Sequence, residues 1–108
     1  MGERIFIHMI LYNITIAVDE SIHEDWLHWM QQQHIPEVMA TKKFQDWKMY
    51  RVLMEKNGGI TYSVQFFAKT MGDLETYQAQ FAQQLQKDVL DRYGSQFGAF
   101  RTVLEQVE

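Results

Sequence analysis

His34 is the residue best placed for chemistry in this 108-residue chain. It follows Leu27 and Met30 at helical spacing, which puts it on or beside an apolar helix face. An imidazole titrates near neutrality and can serve as acid, base or ligand, so His34 is the one candidate catalytic residue. The plainer alternative is a histidine at the C-terminal end of a helix, held there by the helix dipole. His23 and His28 are five residues apart and point to different sides of a helix, whereas helical metal pairs recur at i, i+3 or i, i+4. No nearby carboxylate completes a set, so no metal site is expected. The chain has no cysteine, which excludes thiolate nucleophiles, disulfides and cysteine-based zinc sites.

A second group of candidates lies in segments that read as strands: Asn13, Thr15, Arg51, Ser63, Gln65 and Arg101. Any that face inward must be hydrogen-bonded to each other, to water or to a ligand. Arg51 and Arg101 suit a carboxylate or phosphate, because guanidinium presents a fork of donors. The alternative is an outward arginine with its stem packed along the sheet, and strand register decides between the two. Trp29 sits at the edge of the helix stripe and could border a cavity, while Trp26 and Trp47 read as core or interface. The expected ligand-binding set is therefore Asn13, Trp29, His34, Arg51, Gln65 and Arg101. No phosphate-cradling glycine loop, nucleophile elbow or paired catalytic carboxylates occur.

These residues must be positioned by a small number of elements. The length is that of one domain, and 46% hydrophobic residues suffice for a core. A net charge of −4 argues against a general nucleic-acid binder, which needs a basic surface. No apolar run approaches the ~20 residues of a membrane span. With no secretory leader evident in residues 1–8, a cytoplasmic protein is expected.

Ile10 to Val18 alternates with period two and predicts a strand. Ser21 to Glu24 reads as a capping box opening a helix that ends near His34, because Pro36 disfavours helical geometry at Ile35. One further turn is expected over Glu37 to Ala40. Phe44 to Met54 and Ile60 to Lys69 predict a hairpin around Glu55-Lys56-Asn57-Gly58-Gly59. Thr70 caps a helix carrying Leu74, Tyr77, Phe81, Leu85 and Val89, which Gly94 stops. Gln96 to Val107 is the last strand. The order βαββαβ predicts an α+β, ferredoxin-like fold: a four-stranded antiparallel sheet with both helices on one face. Ile10, Tyr12, Ile14, Ile16, Tyr62, Val64 and Phe66 should meet the helices. Leu11, Asn13, Thr15, Ser63, Gln65 and Phe67 should lie opposite, joined by Trp47, Met49, Arg51 and Leu53 if strand two has the matching register. Exposed apolar patches beyond a few hundred Å² are rare on monomers, so that second face is expected to pair with a second copy.

Several segments support a family resemblance: Trp29-Met30-Gln31-Gln32-Gln33-His34-Ile35-Pro36-Glu37 with Phe44 and Arg51, then Met9-Ile10-Leu11-Tyr12-Asn13, Tyr62-Ser63-Val64-Gln65 and Phe100-Arg101-Thr102. They resemble a bacterial domain-of-unknown-function family within the dimeric α+β barrel superfamily. The resemblance implies a single domain over residues 9–108, with residues 1–8 as an extension that is loosely ordered or lengthens strand one. It also implies a homodimer with a cavity between sheet and helices. The superfamily includes cofactor-independent oxygenases, haem-degrading enzymes, isomerases and plain binding proteins. Asn13 is similar to one residue of the haem-degrading pattern. Trp47 lies on a different strand from that pattern's tryptophan, and the second helix has no histidine, so no cofactor is expected. The leading expectation is a homodimer binding a small anionic or aromatic molecule. The alternatives are an oxygenase or isomerase with His34 as general base, and a structural dimer without ligand.

Overall fold

β-branched and aromatic residues at every second position build the sheet. In the computed structural model, which describes residues 8–54 and 59–108, β1 (Ile10–Val18) pairs antiparallel with both β3 (Ile60–Ala68) and β4 (Phe97–Glu105). β2 (Asp46–Arg51) adds to the free edge of β3, giving the order β2-β3-β1-β4. This is the ferredoxin-like arrangement expected from the sequence. The expected hairpin turn lies outside the described residues except for Gly59, and the expected extension lies outside them except for His8.

The two helical arms cover one face, and each is interrupted. The first opens with a 3-10 turn over Glu20–Ile22, closed by the Ile22 amide donating to the Asp19 carbonyl at 3.1 Å. The expected capping box does not form: the Ser21 hydroxyl accepts from Gln96 Nε2 at 3.5 Å, and α1 (His23–Trp29) starts without a side-chain cap. The arm also does not end near His34. It continues through a π turn (Met30–His34) into α2 (Ile35–Ala40), with the Ile35 amide donating to the Met30 carbonyl five residues back. A wide turn of this kind accommodates Pro36, which has no amide proton and whose ring would crowd the carbonyl four residues earlier in a tight helix. Lys42, at φ 63°, then turns the chain toward Phe44.

Thr70 caps the second arm as expected, its Oγ1 accepting from the Asp73 amide at 3.1 Å. The arm is two helices, α3 (Met71–Gln80) and α4 (Ala82–Tyr93), broken at Phe81, where φ is −124°. Gly94 ends α4 at φ 59°, a left-handed conformation that costs glycine nothing.

Between the arms and the sheet, Trp26, Leu74 and Val64 are completely buried, each contributing roughly 1.5–3 kcal/mol by leaving water. Tyr12, Phe44, Phe66 and Tyr77 form an aromatic cluster, with Phe44 and Tyr77 in edge contact at 4.8 Å. Register corrects one expectation. Trp47 is level with Phe66, Met49 with Val64 and Arg51 with Tyr62, so these β2 residues face the helices. The open face instead takes Asp46, Lys48 and Tyr50 from β2. From β4 it takes Gly98, Phe100, Thr102 and Leu104.

Candidate functional site

Ile14 sits in the middle of a strand face whose neighbours Tyr12 and Ile16 are buried, yet it is only partly buried itself. It lines a cavity of about 300 Å³ between sheet and helices. Tyr12, Ile16, Val64 and Phe66 continue the floor, Trp26, Met30, His34 and Val38 come from the first arm, and Tyr77, Leu85, Gln86, Val89 and Leu90 come from the second. The remaining wall is β4, through Phe97, Gly98, Ala99 and Arg101. Leu90 of α4 and Gly98, Ala99 and Arg101 of β4 are exposed, so the mouth opens between α4 and β4. The volume is at the small end of ligand pockets, ~300–1,000 Å³.

Because the helical arm continues past Pro36, His34 is held inside an arm and does not occupy a C-terminus. Its ring stacks on Trp29 at 5.1 Å with planes 23° apart. Burial pushes the imidazole down from 6.5 to about 4, against the opposing charge of Asp88, so it is neutral at physiological pH. Its Nδ1 is buried without a hydrogen-bond partner, and so is Trp26 Nε1. Buried polar atoms are nearly always paired, and an orphan costs ~1–3 kcal/mol. Both orphans belong to residues that line the cavity.

Near the Tyr12 end, burial raises the Tyr12 phenol, while Arg101, by charge and hydrogen bond, and Gln86 pull it back. Burial also raises the Tyr77 phenol, further increased by Tyr12 and opposed by Arg101. Both phenols are therefore protonated donors at neutral pH.

Of the residues expected to share a site, only His34 and Arg101 line this cavity. Trp29 supports His34 from behind and is held in turn by Tyr93 in edge contact at 5.6 Å and by Arg92 at 5.4 Å. Asn13 and Gln65 lie on the opposite face of the sheet. There the Ser63 hydroxyl donates to Asn13 Oδ1 at 2.6 Å, Asn13 Nδ2 donates to Thr15 Oγ1 at 3.1 Å, and Gln65 Nε2 donates to Ser63 Oγ at 3.2 Å. Arg51 is exposed at the end of β2, its guanidinium 6.0 Å from the Tyr62 ring. The common lining expected for all of them fails because strand alternation sends Asn13 and Gln65 through the sheet, while Arg51 is on β2, the edge strand farthest from the β4 wall of the cavity. Tyr12, Trp26, Tyr77 and Gln86 were not among the expected site residues. Their apolar spacing marks Tyr12, Trp26 and Tyr77 as core, and the signal for a site was the level of Tyr12 beside the Ile14–Arg101 pair. Among the described residues, no three His, Asp or Glu side chains gather closely enough to hold a metal ion. No helix among them is long and apolar enough to cross a membrane.

A family model described as a domain of unknown function, DUF4286, matches residues 9–107. None of the curated proteins compared matches the chain. Among solved structures, a dimeric ferredoxin-like protein from an uncultured marine organism superposes with a TM-score of 0.75 at 12% identity, covering 94% of this chain and 97% of its own. A candidate antibiotic biosynthesis monooxygenase from Bordetella bronchiseptica gives 0.65 at 17% identity, covering 94% and 97%. A dimeric ferredoxin-like protein of unknown function from Thermobifida fusca gives 0.57 at 11% identity, covering 96% and 100%. At these identities the likeness is one of fold.

Proposed function

This chain belongs to the DUF4286 family, a domain of unknown function, and we propose that it is a homodimer whose protomers each bind a small molecule in the cavity between sheet and helices. One observation carries the reading: two residues that line the same 300 Å³ space, His34 and Trp26, each carry a buried nitrogen without a hydrogen-bond partner. A ligand with polar atoms offsets that desolvation, and an apolar filling does not. Self-association is supported by the open sheet face, where Phe100 is 64% and Leu104 46% exposed. Pairing two such faces would remove on the order of 800 Å² per partner from water. Similarity to dimeric ferredoxin-like proteins supports it as well.

Catalysis with His34 as general base is the second reading, and similarity to a candidate monooxygenase favours it. The imidazole is in its basic form at neutral pH, but a value of about 4 makes it a weak proton acceptor for most carbon acids. Binding is therefore the reading better supported. A thermal-shift screen of metabolites on the intact chain, repeated with His34→Ala, tests both. A compound that stabilises the parent and loses affinity in the variant supports the cavity site. Unchanged affinity removes it, and ligand turnover that disappears with His34 would move the reading to catalysis.

A further inference from the structure

The two ends of the cavity differ in chemistry, and from that difference we propose that its ligand is an elongated aromatic acid with a hydrogen-bond-accepting oxygen remote from its acid group. The inference rests on the cavity being the binding site.

Sheet register gives the cavity its length. Tyr62 is level with Ile16, and the Trp26 indole lies 5.2 Å from the Tyr62 ring, which fixes Trp26 at that end. Arg101 is level with Ile14, and its charge draws the Tyr12 phenol down, at the other end. Ile14 and Ile16 are two residues apart on one strand, ~7 Å at ~3.3 Å per residue, and Tyr12 extends the same face by as much again.

Arg101 stands at the mouth, and among the described residues no carboxylate pairs with it. A guanidinium in that position complements a carboxylate, and the Tyr12 phenol beside it is a second donor. At the deep end Trp26 is completely buried and its Nε1 is orphaned. An indole N–H only donates, so its complement must bring a lone pair. A second anion there would be desolvated without a cation, which favours a neutral phenol, ether or carbonyl oxygen. The neutral His34 imidazole can donate to or accept from that same end of the molecule. Between the ends, the rings of Phe66 and Tyr77 with Met30 and Val89 favour a flat apolar body.

Isothermal titration of the intact protein with four probes tests this: 4-hydroxycinnamate, cinnamate, 4-hydroxycinnamyl alcohol and octanoate. The first should bind at least about tenfold more tightly than each of the others. Arg101→Gln should erase its advantage over the alcohol, and Trp26→Phe its advantage over cinnamate. If Trp26→Phe does not fold, the parent's preference for 4-hydroxycinnamate over cinnamate decides the deep end alone. Equal binding of octanoate, or an advantage that survives Arg101→Gln, overturns the proposal. If none of the four binds but a screened compound depends on His34, the two-ended ligand is wrong and the cavity site stands. If nothing binds in a His34-dependent way, both fall.

Discussion

His34 keeps its proton off in the folded chain until the pH nears 4, whereas an unfolded imidazole takes one up near 6.5. Between those values the unfolded chain binds the extra proton, so acid draws the equilibrium toward unfolding. The stability that His34 contributes is complete above 6.5, shrinks as the pH falls and is gone near 4, a total on the order of 3 kcal/mol. Urea unfolding of the parent and of His34→Leu across this range should show a steeper acid loss in the parent; matching slopes would place the imidazole in water. Trp29 makes the burial possible. Its indole, held by Arg92 and Tyr93, stacks on the imidazole, so the histidine sits between an indole and the cavity.

The elements explain which expectations survived. Period-two spacing in β1 and β3 marked their buried faces correctly, because Ile10, Tyr12, Ile16, Val64 and Phe66 are all large and unbroken by polar residues. β2 carries apolar residues at Trp47 and Met49 but sets the large Tyr50 on the alternate face, so its register could be read only from its pairing with β3. The fate of the chain at Pro36 was hidden for a different reason: proline lowers the odds of a tight helix, but a wide turn evades the same clash. His34 was legible as a candidate by spacing alone, while Asn13 and Gln65 were drawn to the site by polarity that the opposite sheet face satisfies. Two substitutions probe these local devices. Thr70→Ala removes the cap on α3 and should cost ~1 kcal/mol in urea unfolding. Pro36→Ala restores an amide that can bond four residues back, so the π turn should tighten and move His34 off Trp29. The measurement is the chemical shift of the His34 ring protons, which the indole face perturbs; an unmoved shift would mean that proline does not hold the wide turn open.

At the scale of the molecule, the sheet separates two environments. One face carries the cavity and the other a polar seam, Asn13, Thr15, Ser63 and Gln65, flanked by apolar Leu11, Phe67, Phe100 and Leu104. In a paired arrangement the apolar flanks supply association and the seam supplies alignment, since sliding one sheet would set amides against aliphatic chains. Phe100→Glu combined with Leu104→Glu should give monomers by sedimentation velocity with the fold intact by circular dichroism, and dimers that persist would place the interface elsewhere. On the helix side, Ile14 is an aliphatic residue surrounded by buried neighbours and itself only partly buried. Interiors close-pack, so space above it is cohesion forgone. A bulkier side chain at that point should knit the sandwich together: Ile14→Phe is expected to melt at a higher temperature than the parent while accepting no guest. The hollow over one isoleucine thus sets toughness against capacity in a single position.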